Sequence, residues 1–193
     1  MATLFATSPA DGFEAQWQTN YLSQGLLIRH LLDTLVSTAT EEGDAGSVRV
    51  VNLTSNGRTF APKAGVNFDD LSQEKSGGNW SRYGINKSTG AVAIRTAAVH
   101  PGAIDTNLNR QTALSACLYT VWKGLGACSQ PSEGAHNSLF AVASPDFKAG
   151  DSGQYFVLGQ KRETLSKVAQ DMELANRLWE WTKGEIGRNN LLE

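Results

Sequence analysis

The chain has 193 residues, a formal net charge of −2, 40% hydrophobic residues and 19% charged residues. That length buries one core and predicts a single domain over residues 1–193, while the near-neutral charge, with no basic run beyond Lys161–Arg162, excludes a dedicated nucleic-acid binder. No run of about 18 apolar residues is present, and Met1–Gly12 lacks the basic and apolar regions of a signal peptide, so the expectation is a soluble, cytoplasmic protein with no membrane span.

In chain order, Gln16 to Ser37 reads as a helix, because Trp17, Tyr21, Leu27, Leu31 and Leu35 recur at three- and four-residue steps. Thr38 to Gly46 is polar and reads as a loop. Ser47 to Thr54 is β-branched and bounded by glycine, which predicts a central parallel strand. Asn56 to Gly78 is a long excursion, of the kind that is functional more often than filler. Trp80 to Ser88 begins a helix, and Ala91 to Val99 reads as a second strand stopped by His100-Pro101-Gly102. Leu114 to Leu125 and Glu133 to Ala143 read as helices, Gln154 to Leu158 as a short strand, and Leu165 to Gly184 as a closing amphipathic helix. Strands alternating with helices predict an α/β fold, with a parallel sheet covered on both faces.

Chemistry concentrates at Tyr83-Gly84-Ile85-Asn86-Lys87. On a helix, positions i and i+4 share a face, so an ammonium stands beside a phenol and lowers its pKa from about 10, which suits proton transfer. The same spacing also describes a solvated surface pair. Around it, Ser55 lies at the end of the first predicted strand, where ligands of open α/β sheets bind, and Thr54 is the alternative hydroxyl. Asn20 lies inside the first helix, where its side chain can order a carbonyl or a water. Thr106 follows the Pro101-Gly102 turn.

Asn20, Ser55, Tyr83, Lys87, Pro101-Gly102 and Thr106, in that order, resemble the catalytic tetrad and cofactor loop of the short-chain dehydrogenase/reductase family. The flanking stretches DGFEAQWQTNYLSQGLLIRHLL, APKAGVNFDDL, EGAHNSLFAVASPDFKAGDSGQYFV and ANRLWEWTKGEI are similar to its retinol-dehydrogenase-like fungal branch. The resemblance implies a Rossmann-like, doubly wound sheet, truncated on its N-terminal side. It implies Tyr83 as acid/base, Lys87 as the residue that tunes Tyr83 and holds the cofactor ribose, and Ser55 as the group that polarises the substrate oxygen. Asn20 would anchor a water of the proton relay, and Ile104 and Thr106 would meet the nicotinamide. NADP or NAD would be the cofactor, NADP by resemblance alone, with a small carbonyl or alcohol as substrate. Secondary metabolism is the implied setting, and homo- and hetero-oligomers stay open.

Two parts of the family pattern are not found in these residues. No G-x-G-x-x-G occurs, so the expected dinucleotide fingerprint lies outside the sequence. Pro101 follows Lys87 closely, which leaves the Tyr–Lys helix about 15 Å long at 1.5 Å per residue. Two other functions therefore stand beside the redox one: a lyase or isomerase using Tyr83 and Lys87 alone, and a non-catalytic binding protein. The remaining candidates read as structural. Cys117 and Cys128 are two thiols with no metal-ligand spacing, His30 and His100 are packing residues, and His136 lacks partners for a metal. Asp69 and Asp70 are solvated, Trp179 and Trp181 pack, and the sequon Asn52-Leu53-Thr54 falls inside a strand.

Overall fold

A computed structural model describes residues 12–41, 46–55, 65–71, 94–104, 124 and 128–188. Its centre is a sheet of β1 (Arg49–Leu53), β2 (Arg95–Val99), β3 (Gln154–Val157) and β4 (Lys161–Glu163), in that spatial order. The first three strands are parallel, with Arg49 beside Arg95 and Leu53 beside Val99, then Val99 beside Phe156. The helix α3 (Pro131–Ala143) crosses from β2 to β3 and packs on β1 and β2. Together these elements make the α/β architecture expected, a mostly parallel sheet flanked by helices.

The core between sheet and α3 holds Ala97, Val99, Ala141, Phe147 and Phe156, with Val51 and Phe140 against it. Phe140, Phe147 and Phe156 meet with ring centroids 5.6–5.9 Å apart, the spacing of edge and tilted aromatic contacts.

Both predicted strands begin later than their β-branched runs suggest. At β1 the guanidinium of Arg49 turns back to the carbonyl of Gly46 at 2.9 Å and reaches those of Ala141 and Ser144 at 3.2 and 2.9 Å. The strand thus starts where Arg49 ties it to the C-terminal end of α3. At β2, Ile94 is a buried bend and pairing begins at Arg95. The strand β4 was not expected at all, since Lys161-Arg162-Glu163 has no apolar alternation. It pairs antiparallel with β3 through a turn in which Gly159 (φ 81) and Gln160 (φ 61) are both left-handed. Its charged side chains suit an exposed sheet edge.

The first helix is longer and less regular than its periodicity implies. It opens as α1 (Ala15–Trp17), capped by the Glu14 carboxylate, which accepts from the amide of Trp17 at 2.9 Å. A π-helical turn, Gln18–Leu22, follows, in which the amide of Ser23 bonds the carbonyl of Gln18. Then α2 (Ser23–Glu41) runs on through Thr38 and Thr40, which were expected to loop. Their hydroxyls donate to the carbonyls of Thr34 and Val36 at 2.8 and 2.9 Å, so this polar run satisfies itself within the helix.

The closing helix, α4 (Met172–Arg188), starts after Leu165 because Asp171 caps it, accepting from the amide of Leu174 at 2.9 Å. It continues past Gly184, with Arg188 paired to Glu185 at 2.6 Å. A second apolar cluster joins Trp17, Leu22 and Leu178, with Phe13, Tyr21, Val66, Phe68, Leu71 and Trp181 around them. α4 crosses the first helix at Tyr21 and Gly25, and beyond that crossing Leu27 (56% exposed) and Leu31 (45%) face outward, against the buried stripe expected. His30, expected among packed leucines, is exposed as well. No described helix is long and apolar enough to cross a membrane. The predicted helix Trp80 to Ser88 lies outside the described residues, as does Leu114 to Leu125 except for Gly124, which is helical.

Candidate functional site

Parallel register puts the carboxyl ends of β1, β2 and β3 on one edge of the sheet. The amide of Thr54 donates to Val99 at 2.8 Å, and the amide of His100 donates to Phe156 at 2.8 Å, so the ladder runs one residue past each strand. Ser55 follows at once and is half-buried, whereas Thr54 is buried at 8% exposure. Of the two hydroxyls, Ser55 is the one less enclosed at the edge where open α/β sheets take ligands.

Beside it, His100 to Ile104 leaves β2 as a tightly held loop. Gly102 (φ 94) makes the turn in a conformation that side-chain-bearing residues avoid. The amide of Ser129 donates to the carbonyl of Ala103 at 2.8 Å, and Ile104 forms a parallel bridge with Ser129. On its other side the loop lies against the first turns of α3. A Cβ on Gly134 would stand 2.6 Å from Cδ1 of Ile104 and 3.3 Å from Cβ of Pro101, so any larger residue here would have to push the Ile104 side chain aside. Three residues on, fully buried Asn137 donates through Nδ2 to the carbonyl of His100 at 2.9 Å. Its Oδ1 accepts from the amide of Gln160 at 3.0 Å.

Asn20 sits in the middle of the π-helical turn and is half-buried. Its neighbour Tyr21 packs at a tilt against Trp17, with centroids 4.6 Å apart, and bonds Thr182 on α4. Burial pushes the Tyr21 phenol above its ordinary pKa. At neutral pH this phenol is therefore a hydrogen-bond donor and not a proton-transfer group.

Of the sequence-predicted site residues, Ser55 and Ile104 are brought to one sheet edge, and Asn20 lies in the π-helical turn. Tyr83, Lys87 and Thr106 lie outside the described residues. Sequence reasoning passed over Gly134 and Asn137. Both are poor helix formers three apart within a helix, and that pairing was the available signal. Among the described residues no group of three or more His, Cys, Asp or Glu could hold a metal ion.

No family model matches the chain. It is 53% identical over 213 residues to the short-chain dehydrogenase/reductase drtF of Aspergillus calidoustus, a match covering 100% of this chain and 67% of that protein. It is 31% identical to the chloroplastic short-chain dehydrogenase TIC 32 B of Brassica napus, covering 89% of this chain and 57% of that protein. With retinol dehydrogenase 14 of Mus musculus the identity is 29%, over 94% and 55% of the two chains. The chain thus spans about two thirds of the first of these relatives and little more than half of the other two. A solved structure from Mycobacterium paratuberculosis shares the fold, with a TM-score of 0.61 at 22% identity over 96% of this chain and 63% of that one.

Proposed function

The chain belongs to the short-chain dehydrogenase/reductase family, and on that premise we propose that it interconverts a carbonyl and a secondary alcohol on a small hydrophobic molecule, using a nicotinamide dinucleotide. The observation that carries this reading is that the β1–β2 register brings Ser55 and the clamped His100–Ile104 loop to the same carboxyl edge of the sheet. A hydroxyl beside a glycine turn and an apolar side chain suits the nicotinamide end of such a cofactor. When bound, the cofactor supplies or accepts the hydride.

The chain's own residues do the rest. Ser55 donates to the substrate oxygen and holds it in place. Tyr83 gives its phenolic proton to that oxygen during reduction and takes it back during oxidation. Lys87, four positions further on in sequence, lowers the Tyr83 pKa and binds the ribose. Asn20 holds a water that returns the proton to solvent, a role that its place in a π-helical turn supports, since such turns recur at functional sites. Ile104 and Thr106 meet the nicotinamide, with NADP preferred over NAD. A place in secondary metabolism belongs to the same proposal and rests on the resemblance of the flanking stretches to the fungal branch.

A second reading uses the same residues differently: a lyase or isomerase in which Tyr83 and Lys87 act without a dinucleotide, or a non-catalytic binding protein.

A thermal melt with millimolar NADPH separates these readings. A ligand bound only by the folded state at a hundredfold excess over its Kd adds about 2.7 kcal/mol. The proposal expects an upward shift in melting temperature with NADPH, and carbonyl reduction that Tyr83→Phe abolishes without changing the melt. A cooperative melt indifferent to NADPH and NADH overturns it in favour of the second reading.

A further inference from the structure

We infer that Asn137, with Gly134 one turn before it on α3, is the positioning residue of the His100–Ile104 loop. It sets where that backbone stands against the nicotinamide end of the dinucleotide, an inference that rests on the reading above. His100 is the first residue past β2, and Nδ2 of Asn137 donates to its carbonyl at 2.9 Å. Oδ1 of the same amide holds the amide of Gln160, a left-handed non-glycine residue, at 3.0 Å. One fully buried side chain thus joins the loop after β2 to the turn after β3. Gly134 completes the arrangement, because its missing Cβ lets Pro101 and Ile104 settle against the helix. Ser129 pins the same loop from its far side. A loop bonded on both flanks within five residues is held more firmly than chain connection requires, and pre-organisation of this kind favours a ligand that needs one backbone geometry.

The test compares Asn137→Ala, Asn137→Asp and Gly134→Ala with Ala141→Gly, a control that weakens the same helix away from the loop. Each is read at a temperature where circular dichroism shows it folded. The two readouts are hydrogen exchange of the amides of residues 102–104 and NADPH affinity by fluorescence titration. Asn137→Ala is expected to speed exchange and weaken NADPH by about tenfold each, as loss of one buried hydrogen bond does. Asn137→Asp matches it at pH 8, where a carboxylate faces the His100 carbonyl, and recovers at pH 5 as the buried carboxyl takes up a proton and donates again. Gly134→Ala keeps both Asn137 bonds and raises helix propensity, yet also weakens NADPH by pushing on Ile104. It stands in should the Asn137 variants not fold. Ala141→Gly lowers the melting temperature and leaves loop exchange and NADPH affinity unchanged.

An Ala141→Gly variant that loses as much NADPH affinity as Asn137→Ala overturns the inference, as does an Asn137→Ala variant with unaltered loop exchange. Wild-type protein that ignores NADPH overturns the dinucleotide reading itself, and the exchange data then decide separately whether Asn137 holds the loop.

Discussion

The phenolic oxygen of Tyr21 stands 2.7 Å from the hydroxyl of Thr182, a bond between residues 161 positions apart. The hydroxyl proton of Thr182 goes to the carbonyl of Leu178 at 2.8 Å, so Tyr21 is the donor. This bond fastens the π-helical turn that holds Asn20 to the closing helix.

Removing either partner should therefore weaken the fold by a similar amount. Tyr21→Phe and Thr182→Val are each expected to cost about 1 kcal/mol. The double variant is expected to cost less than the two together, because the same bond is lost in each. Urea denaturation of the four proteins checks this.

The same tyrosine predicts an alkaline limit. Burial raises its pKa in the folded protein, so the folded state keeps the phenolic proton at a pH where the unfolded chain has begun to release it. The stability it contributes is complete below about pH 10 and falls as pH rises through the folded-state pKa. Melting temperatures measured from pH 8 upward should decline more steeply above pH 10 in the wild type than in Tyr21→Phe.

Arg49 should resist conservative replacement. Its guanidinium bonds three carbonyls of two separate segments and lies 5.1 Å from the centroid of the Phe147 ring. A lysine offers one compact charge in place of that planar fork, so Arg49→Lys is expected to lose about 1–2 kcal/mol of stability. Chemical denaturation at low and high salt checks it, and the loss should persist in salt because the bonds to carbonyls are not an ion pair.

Gly65 (φ 77) lies under α4, and a Cβ there would stand 2.6 Å from Cδ2 of Leu174 and 3.1 Å from Cγ1 of Val168. Gly65→Ala combines backbone strain with crowding and should cost about 1–3 kcal/mol. Fluorescence of the nearby Trp17 and Trp181 during thermal unfolding reads it.

Gln160→Gly should act in the opposite direction. The left-handed backbone at Gln160 (φ 61) suits glycine, and the amide that Asn137 holds is kept. A gain of about 0.5–1 kcal/mol in urea is expected.

The parallel strands could be read from the sequence because Val50-Val51 and Thr96–Val99 announce a buried sheet through side chains alone. β4 could not, since nothing in Lys161–Glu163 marks a strand, and the hairpin depends on two left-handed residues and a hydrogen bond donated to a helix residue 23 positions earlier. Likewise Thr38 and Thr40 look like loop residues until their hydroxyls are seen bonded within the helix. At the candidate site, Ser55 followed from its place at a strand end. Asn137 did not, because its importance lies in two backbone groups whose positions only the fold creates.

The aromatic corner also bears on how the chain is made. Phe13 and Trp17 pack on Trp181, with centroids 6.5 and 6.0 Å away, and Phe68 lies under the guanidinium of Arg177 at 4.1 Å. Residues from the first and last parts of the chain thus complete one cluster, a contact of long sequence separation that forms late and at high entropic cost. During synthesis, Trp17 has to wait for α4 to leave the ribosome before its apolar surface is covered. Until then the first helix exposes its aromatic end, and a truncation that removed only α4 would leave the nascent chain in that aggregation-prone state for good.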